Sequence, residues 1–90
     1  MISINQLNKK IFDLEHELVP QSLDFTYIHS ARIDILYWVK NSGNMRTEQE
    51  ILNKIQRYKE ELLGIENDFD LHYREKQARI KELYELLETE

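Results

Sequence analysis

Asp13, His16 and Glu17 are the first residues whose types could do chemistry together, because i, i+3 and i+4 spacing puts all three on one face of a helix. Such a face could form one edge of a metal site. A carboxylate-bridged di-iron centre, however, takes two Glu-x-x-His units and two further glutamates from facing helices. Asp13-x-x-His16 is the only comparable unit in this chain. Glu66, Asp68, Asp70 and His72 look clustered in print, but in a helix only Glu66 with Asp70 and Asp68 with His72 would meet. A calcium loop would need a glycine and a terminal glutamate in register, and neither is there. With no cysteine, thiolate metal sites and cysteine catalysis are excluded. The expectation is no metal and no cofactor, with these side chains forming solvated polar faces.

Cations give the other chemical reading. No glycine-rich phosphate loop, His-Glu-x-x-His or Gly-x-Ser-x-Gly occurs. Arg32, at the edge of an apolar helical arc, and Lys76, inside an apolar seam, are the cations placed to point inward. With His72 and Asp68 they define one reading: a small all-helical enzyme or ligand-binding bundle. Two cations without a supporting set are no catalytic constellation, and a seam lysine serves equally as a register device or a snorkelling side chain. The chain is therefore not expected to be an enzyme.

Charge argues against nucleic acid. Net charge is −5; residues 1–47 hold five acids and five bases, residues 48–90 twelve acids and seven bases. A phosphate-binding protein shows the opposite footprint. Lys9-Lys10 stands alone, and the Arg74–Lys81 cluster is interleaved with acids. The helix after the turn at 41–47 opens with Glu48 and Glu50, which phosphates would repel.

The elements that must carry these residues are helical. Two glycines and one proline in 90 residues are too few for a turn-rich β protein. The length suits a single domain, residues 1–90, with a core marginal for a chain this short. No run approaches the ~20 apolar residues of a membrane span, and MISINQLNKK lacks the order of a signal peptide. A soluble, cytoplasmic protein is expected.

A first helix over about 4–18 starts at the capping-box pair Ser3 and Gln6. Its seam is Ile4, Leu7, Ile11, Leu14 and Leu18, and Pro20 should end it. A second, over about 22–41, starts at Ser22 and stops at Asn41-Ser42-Gly43-Asn44. At 100° per residue, Phe25, Tyr27, Ile28, Ala31, Ile35, Leu36, Trp38 and Val39 fill one broad arc, while Ile33 and Tyr37 point elsewhere.

From the capping box Thr47/Glu50, seam positions Ile51, Ile55, Tyr58, Leu62, Ile65 and Phe69 continue, after a four-residue step, into Tyr73, Lys76, Ile80, Leu83 and Leu87. The register kept across Gly64, from Ile51 to Phe69, predicts one coiled-coil-like helix over about 48–88 with a stutter between Phe69 and Tyr73; the alternative is a four-helix bundle with a break near Gly64. Five opposite-charge pairs four residues apart, Glu50/Lys54, Arg57/Glu61, Asp70/Arg74, Glu75/Arg79 and Lys81/Glu85, suggest a solvated helical face.

A continuous third helix outruns the hairpin of the first two and leaves an apolar stripe over about 70–88. A second chain would cover it, so a homodimeric bundle is predicted. The functional expectation is a non-catalytic protein–protein interaction module: an adaptor, an assembly factor or a small inhibitor of a larger protein. Its contact residues would be Ile33, Tyr37, Tyr73, Ile80, Leu83, Tyr84 and Leu87, buried inside a charged rim.

Overall fold

Both capping boxes form as their spacing predicts. The Gln6 N–H donates to Ser3 Oγ at 3.2 Å and the Ser3 N–H to Gln6 Oε1 at 2.8 Å; Thr47 and Glu50 repeat the exchange at 3.2 and 3.1 Å. The computed structural model describes residues 1–18, 22–65 and 70–89. Within them, helices α1 (Ile4–Glu15), α2 (Leu23–Val39), α3 (Glu48–Leu63) and α4 (Leu71–Glu88) surround one short antiparallel ribbon, β1 (Lys40–Asn41) with β2 (Asn44–Met45). The all-α class follows from the sequence; the ribbon does not, since two-residue strands carry no alternation to read. Its turn, Ser42-Gly43, has φ of 50° and 85°, the doubly left-handed geometry that matches the twist of a tight hairpin.

The single helix expected over about 48–88 is two helices. After Leu63 the last turn tightens: the Gly64 N–H bonds to the Glu61 carbonyl at 3.2 Å and the Ile65 N–H to that of Leu62 at 3.1 Å. α4 starts afresh at Asp70, whose Oδ1 accepts the His72 N–H at 2.8 Å. The break near Gly64 is therefore the arrangement adopted. Phe69, the expected seam residue between the two halves, lies outside the described residues, as do Glu66, Asp68 and Pro20.

α4 runs antiparallel to α3, since Tyr58 reaches Arg79, Lys59 reaches Tyr84 and Glu61 lies nearest Lys76. It packs most extensively on α2 and runs parallel to it. Asp24–Arg74 and Arg32–Glu82, each 50 residues apart in sequence, mark this register. α1 closes the same pair: the Ile2 N–H bonds to the Leu86 carbonyl at 2.9 Å near the end of α4, and Lys10 reaches Glu82 and Glu85. The stripe over 70–88 that called for a second chain is thus largely covered by the chain's own helices.

All four helices feed one core. Leu7, Ile11 and Leu14 meet Ile35, Leu36 and Val39, then Ile51, Ile55 and Tyr58, then Leu83 and Leu86. Burial is uneven along each seam: Ile51 and Val39 are fully enclosed at one end of theirs, while other seam positions are lost. α1 stops at Glu15, where His16 stacks on Phe12 with centroids 4.0 Å apart, and Leu18, expected in the seam, is 97% exposed. On α2, Ala31, Ile35, Leu36 and Val39 are buried as the arc predicts, whereas Phe25 and Tyr27 are exposed. On α4 the buried positions are Glu82, Leu83 and Leu86; two of these are not in the predicted seam, because α4 faces α2 as well as α3.

None of the five expected i,i+4 ion pairs lies within bonding distance among the described residues. Two of their members reach across helices instead, Arg74 to Asp24 at 3.0 Å and Glu85 to Lys10 at 2.9 Å. A charge that can reach a partly shielded partner on another helix gains more than one left in a fully solvated pair.

Candidate interaction surface

The seven predicted contact residues do not share one surface. Leu83 is fully buried, so in this chain it serves the core and has no area to offer a partner. Ile33 and Leu87 are half-buried against the core from their own helices. Tyr37 stands exposed on α2, its hydroxyl donating to Glu15 Oε1, which pushes the phenol pKa up because the bond favours the protonated form. Tyr73 is half-buried near the start of α4.

Ile80 and Tyr84 do meet. With Leu62 of α3 they form the apolar floor of an open groove between α3 and α4, of about 720 Å³. Lys59, Lys81, Glu85 and Glu88 rim it. Lys59 donates to the Tyr84 hydroxyl at 2.6 Å and sits 5.1 Å from its ring centroid, so the ring is held against α3 by both edge and face.

Arg32 and Lys76 do not converge. Arg32 Nε donates to Glu82 Oε1 at 2.6 Å on the α2–α4 side, while Lys76 Nζ lies 3.9 Å from Glu61 Oε2 on the α3–α4 side. Asp13 and His16, on the face weighed as a metal edge, are likewise divided: Asp13 pairs with Lys9 at 3.1 Å, and His16 Nδ1 faces the Phe12 carbonyl at 2.8 Å. Among the described residues no three histidine or carboxylate side chains converge as metal ligands.

The strongest polar constellation is one the spacing did not reveal. Glu82 is only 2% exposed, a carboxylate set inside the junction of α1, α2 and α4. Lys10 Nζ lies 3.2 Å from Glu82 Oε2, close enough for ion pairing but out of line for a hydrogen bond, which it gives to Glu85 at 2.9 Å. Burial pushes the Lys10 ammonium down, but the bond to Glu85 and the charge of Glu82 more than offset it, and the net direction is up. The same bond holds the Glu85 carboxyl below its usual range. Glu82 stands four residues before Leu86 and beside Leu83, on the face that α1 and α2 bury once they pack on α4.

A second group missed from sequence surrounds Trp38. The Arg46 guanidinium lies 4.4 Å over its ring and its Nε–H donates to the Trp38 carbonyl at 2.6 Å; the Lys54 ammonium lies 5.3 Å from the same ring and 5.1 Å from the ring of Tyr58. The ribbon makes this possible by turning Arg46 back over the end of α2.

No protein-family model matches the chain, and no curated protein or solved structure matches it significantly. No helix among the described residues is long and apolar enough to cross a membrane.

Proposed function

We propose that the chain is a non-catalytic helical interaction module that associates through the α3–α4 groove, with a second copy of itself as the partner. One observation carries this reading: the rim of the groove is split by sign. Along α4, Lys81 stands near the middle and Glu85 and Glu88 toward the C-terminal end, with Lys59 contributed by α3. Two copies laid antiparallel about a two-fold axis near Tyr84 bring the basic part of each rim to the acidic part of the other. Leu62, Ile80 and Tyr84 then meet their counterparts in the middle, an apolar centre inside a polar rim.

Sedimentation equilibrium from about 1 to 100 μM, a span covering ordinary interface affinities, tests the reading. The wild-type chain is expected to dimerise within this span, and more weakly at high salt because the rim pairs are screened. Ile80→Glu is expected to be monomeric with its helix content retained, since Ile80 is only half-buried. A wild-type chain that stays monomeric at the top of the range overturns self-association.

A further inference from the structure

Arg32 is anchored by one edge only. Its Nε is committed to the buried Glu82, and among the described residues its two terminal amino groups donate to no protein acceptor. Beside it, between α2 and α4, lies a small cavity of about 260 Å³ lined by Ile28, Arg32, Ala78, Lys81, Glu82 and Glu85. The Lys81 ammonium also donates no hydrogen bond among the described residues, although its charge is felt by Glu85. Each carboxylate has a cation on it: Glu82 bonds Arg32 through Oε1 and has Lys10 3.2 Å from Oε2, and Glu85 bonds Lys10. Three cations, Lys10, Arg32 and Lys81, therefore face two carboxylates, and the unbalanced positive charge sits on the unused end of a guanidinium and an ammonium.

We propose that Arg32 and Lys81 form a binding site for a small aliphatic carboxylate. A guanidinium fixed through Nε presents its remaining N–H groups as a planar fork matched to a carboxylate, and the fixing carboxylate removes the rotamer freedom that binding would otherwise have to freeze. Lys81 supplies the second charge. Ile28 and Ala78 form the apolar wall beside them, which suits a short hydrocarbon stem, and the cavity limits the ligand to a few carbon atoms. The site does not rest on self-association, but Lys81 also borders the α3–α4 groove, so the test must separate the two.

The experiment is a titration of the full chain with sodium butyrate at constant ionic strength, following the Arg32 Nε–H resonance by NMR, with chloride as the blank. A saturable shift with a millimolar Kd is expected, weakened about fivefold or more, roughly 1 kcal/mol, in Lys81→Met. Arg32→Lys, followed by backbone resonances of Ile28 and Ala78, should weaken binding further, since it keeps the charge and loses the fork. The same titration on Ile80→Glu, which leaves all six cavity residues in place and frees Lys81 from the rim pairs of a dimer, is expected to saturate at a Kd no weaker than that of the wild type. No saturable shift up to about 50 mM butyrate, or an unchanged Kd in Lys81→Met, overturns the site. Tighter binding of inorganic phosphate than of butyrate overturns the assignment to carboxylates.

Discussion

Arg32 of α2 and Glu82 of α4 meet at 2.6 Å with the carboxylate almost fully enclosed, in the same register of the two parallel helices that Asp24 and Arg74 mark. A buried charge pair of this kind is costly to break and easier to replace. Arg32→Met leaves Glu82 facing only Lys10 and is expected to destabilise the fold by about 1–3 kcal/mol, a range appropriate to a charged hydrogen bond with one partly exposed partner. Arg32→Met combined with Glu82→Leu removes the stranded charge and should recover much of that loss. Urea unfolding of the two single variants and the double variant closes the cycle. Strictly additive effects would mean that the two side chains do not stabilise each other.

Lys10 and Glu85 give stability a two-sided pH dependence. The Lys10 pKa is raised above 10.5 in the folded chain, so its contribution is complete below about that pH and lost as pH rises through the folded value. The Glu85 pKa is lowered below 4.5, so its contribution is complete above that pH and lost as pH falls through the folded value. Lys10→Met removes the first dependence and the larger part of the second, since Lys81 and Arg32 still act on Glu85. The difference in Tm between wild type and this variant is therefore expected to be widest between about pH 5 and 10 and to narrow on either side. A difference that stays constant across both flanks would show that Lys10 stabilises the fold by packing alone.

The two glycines separate a required backbone from a tolerant one. Gly43 has φ +85°, and Gly43→Val is expected to cost about 1–2 kcal/mol, the penalty of a left-handed conformation for a β-branched residue. Gly64 has φ −86°, and an added Cβ would meet only the Glu61 carbonyl at 3.5 Å. Gly64→Ala is therefore expected to stabilise the protein by about 0.4–1 kcal/mol, through the lower freedom of its unfolded chain. Thermal unfolding distinguishes the two signs; a destabilising Gly64→Ala would place a conformational demand at the end of α3 that its dihedrals do not show.

Gly64 also marks the limit of what the sequence made legible. Caps are local: Ser3 with Gln6 and Thr47 with Glu50 each settle a helix start within four residues, and both form as read. A heptad seam is local too, but it states only which face is apolar. The seam from Ile51 to Leu87 reads the same whether the covering helix belongs to another chain or to the same chain folded back, so it could not choose between a long helix and a hairpin. Leu83 was consequently assigned to a contact surface and lies in the core. Ile80 and Tyr84 remained accessible because α3 covers α4 incompletely beside Leu62. Glu82 was invisible for the same reason in reverse: its burial depends on α1 and α2 arriving from far along the chain, and no spacing within α4 announces them.

Trp38 and Arg46 offer a direct optical test of how the ribbon locks α2 to α3. The turn carries Arg46 over the indole at 4.4 Å, where it also bonds the Trp38 carbonyl and lies 3.4 Å from Glu50 of α3. Trp38 is the only tryptophan, so its fluorescence reports this contact without interference. Arg46→Met keeps much of the side-chain volume but removes the cation and both polar contacts, and is expected to cost about 1–2 kcal/mol. Its emission should move to the red, because water reaches the indole face that the guanidinium covered. Gly43→Val, by disturbing the turn that positions Arg46, should shift the emission in the same direction. If Arg46→Met leaves both emission and stability unchanged, the stacked cation is a surface ornament and the ribbon holds its place through its own backbone bonds.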